Sequence, residues 1–463
     1  MIDAILEQVD RQHDDAIQRL CDLLRIPSIS TDPAHADDCR TAADWVADHL
    51  RDSGLRPQVL PTGGHPAVVA HTDDDAVANP DAPRVLFYGH YDVQPPDPLD
   101  QWQSKPFEPT VREGRDGPAL FARGACDDKG QVMTFLEALR VYKETGQKLP
   151  GPVTVLIEGE EEHGSENLPR FLNEQKKLLN ADIVLISDTS MWKPGLPAIC
   201  YALRGLVYFD LELRGPKIDL HSGVFGGTTA NPATILTRVL GQLFDDHNRI
   251  NIPGFYDDVD PVTPEERDRW DELGFNENDY LGPVGGSAYG EKDLDTLTRR
   301  WARPSCDING LDAGYTGEGA KTVLPAVARA KVSFRIPASM NPDKVARQFD
   351  DWLRACDTGP CTWERIDCLS KAASVATPTD SPHIQAVSRA VVTTTGNPPA
   401  MVREGATIPV VAEFKTQLGL DSILLGFGLE TDAIHSPNEH FGIERFRLGC
   451  KTHAALLAEI AAG

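Results

Sequence analysis

The sequence predicts an α/β domain interrupted by an inserted α+β domain, and three observations carry that expectation. Between residues 84 and 190, short apolar runs (Val85 to Tyr88, Val153 to Ile157, Ile183 to Ile186) each give way to a polar loop and then a helical stretch. That alternation is expected of a parallel sheet. From about Leu206 the period changes to two, in YFDLELRG and ARAKVSFRIP, as in half-buried antiparallel strands. After about Pro378 the α/β character returns, which sets expected boundaries of 1–205 and 379–463 for the outer domain and 206–378 for the insertion.

The elements follow in order. The N-terminal stretch MIDAILEQVDRQHDDAIQRLCDLL scatters acids and bases through an amphipathic pattern, so it predicts a helix and not a signal peptide. Residues 130–145 repeat apolar positions at helical spacing and Gly146 supplies a stop. ATILTRVLGQLF is a helical candidate inside the insertion. Residues 250–305 are rich in Pro, Gly, Asp and Glu, which predicts an irregular excursion with one acidic helix whose charge is a solvated face. A helix near Pro382 to Thr395, an apolar run from Ser422 to Leu425 and a last helix ending AALLAEIAAG complete the chain.

Composition narrows the function. Among 463 residues, 45 Lys and Arg stand against 70 Asp and Glu, a net charge of -25. A nucleic acid or an anionic membrane needs a basic footprint, so neither is expected as a partner. No run approaches the ~20 apolar residues that span a bilayer. The nine cysteines are an odd count without a CxxC pair, which fits free thiols in the cytoplasm better than a disulfide frame. The group Cys356, Cys361 and Cys368 matches no common zinc-knuckle spacing.

The functional signal is positional. VLFYGHYDV runs out into His90 and Asp92, VTVLIEGEEEHG into Glu160, Glu161 and Glu162, and DIVLISD into Asp188. Asp127 and Asp128 precede the helix starting near Gly130, and SILLGFGLETDAIHSPNEH delivers His435. Each has a plainer reading alone, as a helix cap, a solvated surface or a structural histidine. Together they fall at the carboxyl edge of one sheet, where open α/β sheets bind ligands. Like charges there repel by about 4 kcal/mol per pair at 4 Å and an effective dielectric of ~20, unless cations neutralise them. Histidines and carboxylates without a thiolate suit Zn²⁺, Mn²⁺ or Co²⁺. Two such ions about 3.5–4 Å apart form machinery for amide or ester hydrolysis, with one glutamate held off them as the base.

The ordered series LLRIPSIST, GHYDVQP, ARGACDDKG, EGEEEHGSE, LISDTSMW, DLHSGVFGG, KTVLP, FRIP, REGATIPV and DAIHSPNE resembles the co-catalytic metallopeptidases that include cytosolic non-specific dipeptidase and carnosinase. Aminoacylase, acetylornithine deacetylase and succinyl-diaminopimelate desuccinylase are more distant relatives. The resemblance implies a zinc-exopeptidase-like α/β catalytic domain with an inserted α+β lid and dimerisation domain. It further implies that Asp127 bridges two divalent ions, Zn²⁺ or Mn²⁺ with Co²⁺ possible. His90 and Asp188 would complete one site, and Glu162 and His435 the other. Asp92 would orient His90, Glu161 would be the general base, and the Asp127–Asp128 peptide would be cis.

On the insertion, the resemblance makes His221 the oxyanion donor, often across a dimer interface. Thr322, Arg335 and the loop Arg403, Glu404, Gly405 and Thr407 would bind substrate, with a Thr at 407 where relatives of this branch carry Ser. The implied activity is dipeptide hydrolysis by a cytoplasmic homodimer. The alternative is an N-acyl-amino-acid deacylase or metallocarboxypeptidase using the same metals. A non-catalytic relative is disfavoured, because every implied ligand and the base are present.

Overall fold

The computed structural model describes residues 2–463. The chain divides into two compact units, one of Met1–Tyr201, Thr377–Val402 and Glu413–Gly463, the other of Ala202–Ala376 and Arg403–Ala412.

The first unit is built on a mixed sheet. Val85–His90 lies at its centre and pairs in parallel with both Val153–Glu158 and Ile183–Ile186. Ser422–Gly426 adds in parallel beyond Ile183–Ile186. Ala67–His71 joins antiparallel on Val153–Glu158, followed by Arg56–Leu60. Every residue of the three strands Val85–His90, Val153–Glu158 and Ile183–Ile186 is buried. That explains their unbroken apolar runs, since parallel strands are covered on both faces.

The Lys129–Glu144 helix packs on this sheet, with Phe135 stacked on Phe87 at a centroid distance of 4.0 Å. The expected helices are found at Pro382–Thr395 and Ile443–Ala462, and Gly146 follows the Lys129–Glu144 helix in the left-handed region at φ 68°. The N-terminal stretch forms two helices, Ile2–Arg11 and His13–Leu24. No helix among the described residues is long and apolar enough to cross a membrane.

The second unit is an antiparallel sheet in the order Ser305–Ala313, Val327–Ile336, Gly205–Arg214, Thr362–Ala372. One face is its core: Val207, Phe209, Leu211 and Leu213 alternate along one strand, and Phe209 and Phe334 each meet Phe349 edge-on at 4.8 Å. The other face is a grid of charges, such as Arg329 to Glu212 at 2.9 Å and Arg365 to Asp210 at 2.8 Å. The arginines of these pairs are half-exposed while Glu212 is buried and Asp210 is mostly covered.

Two expectations change here. The excursion holds three short α-helices, Pro264–Glu272, Glu277–Leu281 and Thr296–Trp301, instead of one. Its charge is not all solvated either: Glu266 is buried and accepts from Arg403 Nε at 2.8 Å, while buried Trp270 meets Trp301 edge-on. In addition, Arg403–Ala412 groups with the inserted unit. Arg403 pairs with Glu266, Arg300 with Glu404, and Arg335 with Thr407, so three side chains of the segment are tied there.

Candidate active site

His90 closes the central strand and is fully buried. Its Nδ1 faces Asp92, 3.1 Å from the backbone oxygen and 3.3 Å from Oδ1. Nε2 is thereby turned the other way, 3.1 Å from Asp127 Oδ1 and 3.9 Å from Asp188 Oδ2. Gly89 makes this possible, because a Cβ there would stand 2.7 Å from Asp128 Oδ2 and 2.4 Å from Val132. Asp128 Oδ2 in turn accepts the amide of His90 at 3.2 Å.

Asp127 sits on the loop before the Lys129–Glu144 helix, and its peptide bond to Asp128 is cis. While Oδ1 faces His90, Oδ2 lies 3.0 Å from His435 Nε2. Each carboxylate oxygen therefore serves a different imidazole. Glu162 lies on the turn Glu161–His163 that follows Val153–Glu158. The Asp92 carboxylate caps this turn, accepting the amides of Glu161 at 3.3 Å and Glu162 at 3.1 Å. Glu162 Oε2 accepts from Gln94 Nε2 at 2.8 Å, which leaves Oε1 3.2 Å from His435 Nε2.

These side chains form two groups able to hold a metal ion, His90 with Asp127 and Asp188, and Asp127 with Glu162 and His435. Asp127 belongs to both, and Glu161 to neither. Two features of the protein fit a pair of cations there. Glu162 Oε1 is buried, and beyond its approach to His435 Nε2 at 3.2 Å it makes no hydrogen bond, which leaves acceptor capacity for a cation. Asp188 is pushed well above the usual carboxylate range by burial and by Asp127 and Asp128, a crowding of acids that divalent ions relieve. Glu161 is raised to about 7 by burial, with Glu162 and Asp127 adding to the rise. Asp127 moves the opposite way: although burial pushes it up, hydrogen bonds from His435 and His90 hold it below the ordinary range.

The remaining expected residues lie in the inserted unit. His221 is exposed on the short strand Leu220–His221, which pairs with Val323–Leu324, and Thr322 O accepts the amide of Ser222 at 3.1 Å. His221 Nδ1 accepts the amide of Gly223 at 3.0 Å. Arg335 Nη1 donates to Thr407 Oγ1 at 2.7 Å, and that hydroxyl donates to Arg204 O at 2.6 Å. Arg204 Nε donates to Gly405 O at 2.9 Å. Arg403 lies over Trp270 and pairs with Glu266, while Glu404 takes Arg300 at 2.9 Å.

Sequence reasoning missed Gln94, Arg204 and a buried ion pair, Arg123 Nη1 to Glu439 Oε2 at 2.6 Å. Gln94 stood in the GHYDVQP motif, two residues after Asp92 on an extended stretch, and that spacing was its one signal.

Two three-residue groups sharing one carboxylate, at the carboxyl edge of a mixed α/β sheet and beside an uncommitted glutamate, define a hydrolase of the metallopeptidase class. Residues 86–459 match peptidase family M20/M25/M40, and the chain belongs to that family, whose members use divalent metals. It is 32% identical to the Cys-Gly metallodipeptidase dug1 of Schizosaccharomyces pombe, over 99% of this chain and 98% of that protein. The solved structure of the di-peptidase Dug1p from Saccharomyces cerevisiae superposes with a TM-score of 0.81 at 28% identity, covering 100% of this chain and 99% of that one. An M20 family metallo-carboxypeptidase, Sso-CP2 from Sulfolobus solfataricus, gives 0.82 at 29% identity, covering 97% and 99%.

Proposed function

We propose that this chain is a metal-dependent dipeptidase that cleaves dipeptides carrying a free C-terminal carboxylate. The observation that carries the reading is the sharing of Asp127 between two ligand groups, with Glu161 outside both. The donors suit two Zn²⁺ or Mn²⁺ ions, with Co²⁺ as a substitute. Bound there, such ions supply Lewis acidity that polarises a carbonyl and acidifies water.

The chain's own groups do the rest. Glu161 accepts a proton from water and returns it to the leaving amine, and a carboxyl held up to about 7 is matched to that task near neutral pH. Asp92 holds the His90 ring so that Nε2 stays with Asp127 and Asp188. His221 accepts a backbone N–H on Nδ1, so in the neutral ring the proton resides on Nε2. That N–H is the donor this reading assigns to the oxyanion. The planar fork of Arg335, fixed by Thr407, suits a substrate carboxylate. Thr322 and the loop of Arg403, Glu404 and Gly405 complete the substrate-binding set.

The same reading takes the inserted unit as a lid and the contact of a homodimer. It places the protein in the cytoplasm, supported by nine free cysteines among the described residues. The likeness to a metallo-carboxypeptidase favours a second reading, in which the same groups trim longer peptides. A panel of dipeptides, tripeptides, longer peptides and N-acetyl amino acids, run on metal-free protein restored with Zn²⁺, Mn²⁺ or Co²⁺, separates them. Strong preference for two residues with a free amine is expected. Equal cleavage of long peptides supports the carboxypeptidase, and preference for N-acetyl amino acids supports the deacylase.

A further inference from the structure

His435 is delivered by a loop that regular structure does not hold. Between Asp432 and Glu439, three side-chain-bearing residues, Ala433, His435 and Asn438, adopt φ of 56°, 59° and 66°. Such residues rarely enter this left-handed region, so something outside the loop must keep the conformation. Both ends carry a fully buried carboxylate. Asp432 Oδ2 accepts from Arg445 Nη1 at 2.6 Å and from the amide of Leu429 at 2.8 Å. Glu439 Oε2 takes Arg123 Nη1 at 2.6 Å and the amide of Gly124 at 2.9 Å, while Oε1 takes the amides of Cys126 at 2.9 Å and Asp127 at 3.1 Å.

We propose that Glu439 is a positioning residue for the paired-metal site, its carboxylate fixing the loop that presents His435 against the loop that presents Asp127. The proposal rests on the metal reading above. Four donors converge on its two oxygens, two on each, and one of them is the backbone of the shared ligand itself. A displacement of either loop would open the 3.0 Å approach of His435 Nε2 to Asp127 Oδ2, and with it the group formed by Asp127, Glu162 and His435. Only a carboxylate meets this demand: a Gln amide accepts on one side alone and turns an NH₂ towards two N–H donors on the other.

The test is Co²⁺ titration of metal-free protein, followed by metal analysis and the visible cobalt spectrum, for the unaltered chain, Glu439→Gln and Glu439→Asp. The unaltered chain should take two ions. Both variants should bind the ion held by Asp127, Glu162 and His435 10- to 100-fold less tightly, the usual effect of losing an outer partner of a metal ligand, with an altered cobalt spectrum. Glu439→Asp keeps the charge opposite Arg123 and decides the matter if Glu439→Gln does not fold. Unaltered affinity and spectrum in a folded variant would overturn the proposal. Failure of the unaltered chain to bind Co²⁺ would instead overturn the metal reading on which it rests.

Discussion

Asp92 and Glu162 are joined through the backbone: the Asp92 carboxylate accepts the Glu162 amide at 3.1 Å, while its other oxygen stands 3.3 Å from His90 Nδ1. One buried side chain thus sets a ligand of each candidate ion site. Asp92→Asn preserves the volume but accepts on one side alone, so it cannot support both His90 and the Glu162 amide. Metal affinity is expected to fall 10- to 100-fold, and competition with a chelator of known affinity measures it.

Removal of the proposed proton carrier should leave the candidate ligands intact. Glu161→Gln is expected to retain two ions per chain by metal analysis and to lose turnover by about 10²- to 10⁴-fold, the range for a general base. Near-normal turnover would assign the proton transfer elsewhere.

Thr407 gives a test of the proposed carboxylate subsite. Its hydroxyl links Arg335 to Arg204 O, and a hydrogen bond to a charged group contributes about 1.5–3 kcal/mol. Thr407→Val should raise KM for a dipeptide by roughly 10- to 100-fold at that value, with a smaller change in kcat. Thr407→Ser keeps the hydroxyl and should stay close to the unaltered chain.

His453 makes stability sensitive to acid. It is fully buried against the rings of Phe87, Phe135 and Phe427, with Nδ1 3.0 Å from Thr134 Oγ1 and Nε2 without a partner. Burial pulls its pKa down to about 3 from 6.5. The unfolded chain therefore binds the proton first as pH falls below 6.5, and stability is lost between there and about 3. The loss from this group reaches about 2 kcal/mol at pH 5. Denaturant unfolding at pH 7 and pH 5 should show a loss smaller by that increment in His453→Gln than in the unaltered chain, because buried His49, also lowered to about 3, contributes in both.

That the candidate ligands gather at one sheet edge was legible because parallel strands announce themselves locally. A buried run such as Val85 to Tyr88 ends in His90, and the edge where it ends is fixed by topology, so residues as distant as Asp127 and His435 could be assigned to one rim. The supporting groups carry no such signal. Arg123 and Glu439 lie 316 residues apart, and nothing periodic marks either. In the 250–305 excursion, helices of nine, five and six residues are too short for apolar periodicity to develop. Their caps were the readable sign: Thr263, Asn276 and Asp295 each accept a backbone amide at the start of a helix.

In the proposed site one carboxylate, that of Asp127, serves two ions. Anomalous diffraction from crystals of the Zn²⁺-loaded protein tests it directly. Two peaks about 3.5–4 Å apart are expected, on either side of Asp127, with His90 and Asp188 at one and Glu162 and His435 at the other. A single peak, or peaks away from Asp127, would contradict it.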